Sequence, residues 1–146
     1  MDWIKKFKLE FNYKKPGNFT GYSQCPESKD HNDTLRKSNR DNISIKELGV
    51  YDPLCFCMIE GIKYYFPALI RVSLETMKSD FYFSQLLFHL TYKGHDNYWY
   101  NEFTQSQRNL IHDFIESIIM EYPKRLEAHC SVDDAFEALT IWKQKA

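Results

Sequence analysis

The chain has 146 residues, a length at which a single domain buries a hydrophobic core without the help of disulfide bonds. Its 19 lysines and arginines and 20 aspartates and glutamates leave a formal net charge of -1, which argues against binding to nucleic acid or an anionic membrane through bulk charge. Aromatic residues make up 16% of the chain and leave two interpretations open, an aromatic core or a binding surface.

The sequence also argues against membrane insertion and secretion. It has no run of about 18 apolar residues, and its first residues, MDWIKKFKLEF, lack the continuous apolar core of a secretory signal. The cysteines form no pattern typical of a disulfide framework and suit a reducing compartment; they are Cys25, Cys55, Cys57 and Cys130. We therefore expect a cytoplasmic protein without a cofactor.

Two contrasting segments open the chain. Residues 2–11 predict a short amphipathic helix, because Trp3, Ile4 and Phe7 share one face among lysines. In residues 13–42, Pro, Gly, Ser, Asn, Asp and Lys replace nearly all aliphatic residues. This composition is typical of turns, so we expect a long irregular loop in which residues 31–37 could add one helical turn.

Helix signals become dense after residue 42. Residues 44–49 predict a single helical turn, and Asp52 before Pro53 predicts a helix start, because aspartate caps helices and proline favours their first position. Apolar residues then recur at helical spacing over residues 60–74, but Pro67 lacks the amide that a helix interior requires. The pattern predicts a kink or a break at Pro67.

Three more helices are predicted in the second half of the chain. Asp80 is placed as the cap of the first, whose buried face carries Phe83, Leu86, Leu87 and Leu90. Thr104 and Gln107 have the spacing of a capping box at the start of the second, which Pro123 ends. The last follows Ser131 and carries Phe136, Leu139 and Trp142 on one stripe.

These segments predict an all-α protein. No internal repeat occurs, and no alternating strand pattern is longer than about four residues. We therefore predict one compact helical domain over residues 1–146, with about five or six helices and the irregular segment 13–42 laid across it.

Six segments carry a resemblance, in the order HNDTL, IKELG, DPLCF, EGIKYYFPALIRVSL, QLLFHL and FTQSQRNLIHDFIESI. The chain resembles a family of small uncharacterised bacterial proteins with an E-G-x-x-Y-Y-x-P-A-L helix and a T-x-x-Q-R helix. The resemblance covers roughly residues 16–122, and its most specific positions are Glu60, Gly61, Tyr64, Tyr65, Pro67, Ala68, Leu69, Gln107 and Arg108. It implies a fold and a bacterial source but no reaction, because that family is a domain of unknown function.

The segment from Cys25 to His31 gathers a thiol, the carboxylates of Glu27 and Asp30, and an imidazole. Zinc takes four ligands, and only Cys25 and His31 qualify locally, so a second pair would have to come from elsewhere. Where the related proteins tend to show a second cysteine, this chain has Ser28, which weakens a metal site. A thiol- or zinc-dependent protein that uses this loop is therefore the alternative function.

A second cluster follows the predicted helix end near Gly94; its members are Tyr92, His95, Tyr98, Trp99 and Tyr100. Rings in a loop are harder to bury than rings in a helix, and exposed rings often anchor partners, so core and interface both remain open. With near-zero charge and no catalytic constellation, Tyr98, Trp99 and Tyr100 favour a non-catalytic protein-binding module. Its role would be accessory, regulatory or toxin-neutralising, with a protein partner and with neither nucleic acid nor membrane.

Overall fold

The computed structural model describes residues 1–21, 25–49 and 52–143, and the elements within these ranges are helical. They comprise nine α-helices and two short 3-10 helices, with one isolated antiparallel bridge between Thr20 and Cys57. The all-α prediction is confirmed, but the predicted five or six helices are too few. Three of the nine have only five or six residues, too short to leave a periodic pattern in the sequence.

The chain forms two compact units, residues 1–72 and residues 73–146. The first unit begins with α1 (Trp3–Glu10), where the Asp2 carboxylate accepts a hydrogen bond from the Lys5 amide at 3.1 Å. Phe7 and Phe11 are buried and stack on Phe66, with ring centroids 5.8 and 4.8 Å away. The predicted amphipathic helix is therefore confirmed.

The second helix, α2 (Pro26–Lys37), occupies much of the segment predicted as an irregular loop, so that prediction is wrong. Residues 22–24 of the segment lie outside the described part of the chain. Proline at the first position, an acidic first turn and a basic last turn all favour this helix. Its inward side carries only Ser28, His31 and Leu35, so it has a single large aliphatic residue and no apolar stripe that a sequence pattern could detect.

Two short elements join α2 to the main helix of the first unit. The predicted single turn is present as α3 (Ile45–Gly49), and the predicted helix start at Pro53 opens a 3-10 helix of four residues, Pro53–Phe56. The main helix, α4 (Ile59–Glu75), runs through Pro67, so there is no break there. Residues on both sides of Pro67 are fully buried, and this packing offsets the missing amide.

Helix α4 holds the preceding segments through hydrogen bonds as well as ring contacts. The Tyr65 hydroxyl donates to the carbonyl oxygens of Leu35 and Ser38, at the C-terminal end of α2. The Arg71 guanidinium donates to the carbonyl oxygens of Arg40 and Ile43. The backbone of the polar residues that follow α2 is therefore hydrogen-bonded to α4. The types of these residues do not predict that contact from the sequence.

The described residues of the second unit contain five whole α-helices, α5 (Phe83–Thr91), α6 (Tyr98–Glu102), α7 (Gln105–Glu121), α8 (Pro123–Ala128) and α9 (Val132–Ile141). The predicted buried face of α5 is confirmed, and α5 and α7 both pack against α9. The Trp142 indole joins two of them by donating to the Leu90 carbonyl at 2.9 Å. None of the described helices is long and apolar enough to cross a bilayer.

Two helix starts in this unit test the predicted caps. The capping box is confirmed: Thr104 Oγ1 accepts from the Gln107 amide at 3.1 Å, and Gln107 Oε1 accepts from the Thr104 amide at 3.0 Å. Asp80 does not cap α5, because the chain takes a left-handed conformation at Phe81, with φ of 51°. The hydroxyl of Thr76 accepts from the Tyr82 amide at 3.0 Å instead.

The predicted stripe of α9 is wrong at Phe136. The residues that face inward are Ala135, Ala138 and Ile141, with Trp142 buried at the helix end, whereas the Phe136 side chain is exposed. Two alanines let α5 and α7 approach α9 closely, and this close packing decides which side of α9 is buried.

Substitution of Gly61 tests the packing of α4 against Phe19, because Gly61 is the position of α4 that lies close to the Phe19 ring. A Cβ atom at Gly61 would lie 2.5 Å from Cys57 Sγ and 2.7 Å from Phe19 Cδ1, whereas one at Gly17 would have no neighbour within 4 Å. We expect Gly61→Ala to lower the free energy of unfolding by about 1–3 kcal/mol, because Phe19 is fully buried and has no room to move. Urea denaturation followed by circular dichroism measures this change.

The matched control is Gly17→Ala, which adds the same methyl group in open space and should change stability by less than about 0.5 kcal/mol. Equal midpoints for the two variants would contradict the close approach of Phe19 to α4.

Candidate functional site

The segment predicted as an aromatic loop is ordered in the second unit. A 3-10 helix over Gly94–Asp96 leads into α6, and Asn97 caps that helix. Its side-chain oxygen accepts from the Tyr100 amide at 3.0 Å, and its side-chain nitrogen donates to the carbonyl oxygens of His89 and Tyr92 at 2.8 and 3.0 Å. The buried amide of Asn97 thus fixes the start of α6 to the end of α5.

Two of the three predicted partner-binding rings are buried. Trp99 stacks on His89 with ring centroids 5.0 Å apart, and Tyr100 meets Trp142 edge-on at 5.3 Å. The Arg108 guanidinium lies 4.2 Å from the centre of the Tyr100 ring, and its Nε donates to the Tyr100 carbonyl at 2.7 Å. Trp99 and Tyr100 therefore build the interior of this unit, where cation–π and hydrogen-bond contacts hold them in place.

Tyr98 differs from its two neighbours because its side chain is exposed. With Phe88 and Tyr92 it forms what we call the exposed aromatic surface, in which these rings keep 55%, 53% and 57% of their area open to solvent. Phe88 and Tyr92 are one turn apart at the end of α5, with ring centroids 5.7 Å apart, and the Lys93 ammonium lies 5.9 Å from the centre of the Tyr92 ring. Because the Asn97 side chain bonds the Tyr92 carbonyl and Tyr98 follows Asn97 in the chain, all three rings are attached at one corner of the unit, the junction of α5 and α6.

Sequence reasoning included Tyr92 and Tyr98 among its candidates but missed Phe88. A signal for Phe88 was available, because it is the large apolar residue of α5 that lies off the buried stripe of Phe83, Leu86, Leu87 and Leu90. A ring off the stripe is exposed unless another helix covers it.

The second candidate, the segment from Cys25 to His31, forms the first half of α2 in the first unit. Cys25 is the exposed N-cap, and the side chains of Glu27 and Asp30 also lie at the surface. His31 faces inward, keeps 7% of its area exposed and stacks on Phe56 at 4.9 Å. The structure therefore separates the inward imidazole from the outward thiol and carboxylates.

Glu27 and His31 are nevertheless neighbours, because they are one helical turn apart. His31 Nε2 lies 3.7 Å from Glu27 Oε1, too far for a hydrogen bond. His31 Nε2 and Ser28 Oγ are both buried, and neither has a hydrogen-bond partner among the residues that the structure describes. A buried polar atom without a partner is costly, so this side of α2 has unused hydrogen-bonding or ligand-binding capacity.

Cys55 and Cys57 do not supply activated thiols. Desolvation, together with the Asp52 carboxylate, raises the pKa of Cys55 to about 11, although the residue is exposed. Burial raises the pKa of the half-buried Cys57 to about 12, and Glu60 adds to the shift. Both thiols are protonated at neutral pH, and the thiolate is the form that attacks electrophiles and binds metals.

Comparison with protein-family models gives one result that bears on identity. The model of DUF6714, a family of unknown function, matches residues 18–146. The chain belongs to this family. The suspected membership is thereby confirmed, and the match extends beyond the resemblance seen in the sequence, to the end of the chain.

The other comparisons give no match, neither among curated proteins nor among solved structures. The DUF6714 match therefore places the chain in a family without assigning a reaction.

The raised pKa of Cys57 generates a prediction about thiol chemistry. At pH 8 a thiol of pKa about 12 is ionised in about one molecule in ten thousand, so iodoacetamide should modify Cys57 at least about tenfold more slowly than the exposed Cys25. The rate at Cys57 should increase as the pH is raised towards 12, because the thiolate fraction increases. Peptide mass spectrometry of briefly alkylated native protein measures both rates.

The control is the same reaction in urea, where the two thiols should react at comparable rates once the fold is lost. Equal rates in the native protein would contradict the half-buried, protonated state of Cys57.

Proposed function

We propose that this DUF6714 protein is a non-catalytic protein-binding module of the bacterial cytoplasm, with an accessory, regulatory or toxin-neutralising role. The observation that carries the proposal is the exposed aromatic surface of Phe88, Tyr92 and Tyr98, three large rings more than half open to solvent at one corner of the second unit. Aromatic residues are enriched at protein interfaces and frequently dominate their binding energy, because a partner that covers them removes a large apolar area from water.

The buried contacts beneath these rings hold them on a fixed surface rather than on a mobile loop, which favours a role in recognition. Asn97 uses its amide oxygen and nitrogen to hold both helix ends, and Trp99 stacks on His89 between them. A surface that is rigid before binding loses little conformational entropy when the partner arrives. Of the three predicted anchors, Tyr98 remains a contact residue in this proposal, whereas Trp99 and Tyr100 support the surface from inside.

Serine replacements at Phe88, Tyr92 and Tyr98 test this surface. Removing exposed anchor rings should weaken capture of the cellular partner at least about tenfold, because such rings commonly cost more than 1.4 kcal/mol each when truncated. The partner is identified by affinity capture with crosslinking and mass spectrometry, and its Kd for the wild-type and triple-serine proteins is then measured by titration calorimetry.

Phe136→Ser is the matched control, because it removes a ring of nearly the same exposure, 51%, on α9. It should leave partner affinity unchanged, and all variants should keep the wild-type melting temperature. Unchanged affinity of the triple-serine variant would refute the proposed surface. Alanine at Trp99 is unsuitable as a probe, because losing a buried tryptophan costs about 3–5 kcal/mol of stability.

A second candidate function, a thiol- or zinc-dependent protein that uses the start of α2, is favoured by one observation. His31 Nε2 is buried, lies 3.7 Å from Glu27 Oε1 and has no hydrogen-bond partner in the described ranges of the chain. Two ligands each about 2.0 Å from a tetrahedral zinc ion are about 3.3 Å apart, so a small movement of Glu27 would suit a shared ion. The exposed thiol of Cys25, at the N-cap of the same helix, does not lie within 4.8 Å of both ligands in the described part of the chain, so it would become a third ligand only if the start of α2 moved.

Zinc titration distinguishes this candidate from the first. If the site binds zinc, His31→Ala and Cys25→Ser should each reduce zinc affinity at least about tenfold, and zinc should raise the melting temperature of the wild-type protein. Asp30→Asn is the control, because it changes an exposed carboxylate of the same helix that points away from His31. Equal zinc affinity in all four proteins would exclude a site at the start of α2.

A further inference from the structure

Helix α1 has an exposed side that the interior of the first unit does not use. An open groove of about 580 Å³ runs along this helix and is lined by Asp2, Ile4, Lys5, Lys8, Leu9 and Asn12. Leu9 keeps 73% of its area exposed, and Lys8 forms an ion pair with Asp41 at 2.7 Å. The groove thus combines apolar side chains with Lys5 and Lys8, of which Lys8 is also paired with Asp41, and with Asp2; its lysines suit an apolar residue with acidic neighbours.

Helix α9 presents the complementary arrangement in the second unit. Phe136 is exposed, with Asp133 one turn before it and Glu137 directly after it, and both acidic residues are exposed too. Residues three or four positions apart lie on the same side of a helix, so Asp133, Phe136 and Glu137 share the outer side of α9. We call this arrangement the acidic ridge.

The distribution of charge over the sequence agrees with these two surfaces. Residues 1–72 carry twelve lysines and arginines against nine aspartates and glutamates, whereas residues 73–146 carry seven against eleven. The net charge of -1 is therefore the sum of +3 for the first unit and -4 for the second. Opposite charges attract the first unit of one molecule to the second unit of another, and this attraction is screened by salt.

We propose that a second copy of this chain occupies the groove of α1. Phe136 of one copy lies between Ile4 and Leu9 of the other, and Asp133 and Glu137 face Lys5 and Lys8. The contact is heterologous, because two different surfaces meet, so it either closes reciprocally in a dimer or continues into longer assemblies. A second copy is the occupant that the chain itself supplies, with a ring for the groove and carboxylates for its lysines.

Sedimentation velocity of the full chain over a range of concentrations tests the proposal. At low salt, about 20 mM, the weight-average mass should rise with concentration, and at about 500 mM salt the rise should disappear because the charges are screened. Phe136→Ser should weaken association at least about tenfold. Lys5→Glu and Glu137→Lys should each weaken it about threefold to tenfold, and the double variant should recover most of the loss.

Glu116→Lys is the control, because it makes the same charge change as Glu137→Lys at an exposed position of α7. A chain that stays monomeric at every concentration, or a double variant without recovery, would overturn the proposal. Binding of a monomeric chain to anionic phosphatidylserine vesicles that Lys5→Glu abolishes would assign the groove to a lipid surface and would also overturn it.

This test is separable from that of the proposed function. Serine at Phe88, Tyr92 and Tyr98 should leave self-association intact, whereas Phe136→Ser should weaken it at least about tenfold without affecting partner capture. If one of the two proposed surfaces is refuted, binding at the other can therefore still be measured.

Discussion

The close approach of Phe19 to Gly61 is the constraint on which the first unit depends. Because Gly61 has no side chain, the buried Phe19 ring reaches the backbone of α4 and also contacts Tyr64 and Tyr65, at centroid distances of 6.3 and 5.4 Å. The Tyr65 hydroxyl then bonds the end of α2. One small residue and one tyrosine thereby convert a polar stretch that looks like a loop into an ordered part of the unit.

In the second unit, too, aromatic side chains with a fixed orientation join the helices. Trp142 bonds the Leu90 carbonyl, Tyr100 packs against Trp142, and Arg108 covers Tyr100. The paired residues Gln107 and Arg108 thus have separate tasks, since Gln107 closes the capping box of α7 and Arg108 holds the end of α6. In both units, aromatic rings contribute more to the fold when a hydrogen bond or a cation fixes their orientation.

A few aromatic rings stay outside this packing and are exposed to solvent. Most aromatic side chains are buried, which makes the exposure of Phe88, Tyr92, Tyr98 and Phe136 informative. The first three lie on a supported corner with no acidic ridge, and Phe136 lies between carboxylates on a separate helix. Their different surroundings are the reason for assigning them to different partners, a foreign protein and a second copy of the chain.

By itself, the sequence determined the helical class, the capping box at Thr104 and Gln107, the buried stripe of α5, the amphipathic α1 and the family. These features follow from local rules, namely side-chain capping of backbone amides and apolar residues repeated at helical spacing. Family membership likewise reflects the order of short motifs, and it brought no reaction with it.

Only the tertiary structure decided that residues 26–37 are helical, that Trp99 and Tyr100 are interior, and that Phe136 and Phe88 are exposed. It also decided that His31 faces inward while Cys25 faces solvent. The physical reason is the same in each case. Whether a residue is buried depends on contacts with residues far away in the sequence. Examples are the Tyr65 hydroxyl bonded to the end of α2 and the two alanines that let α5 and α7 pack against α9. The local spacing of apolar residues does not predict such contacts.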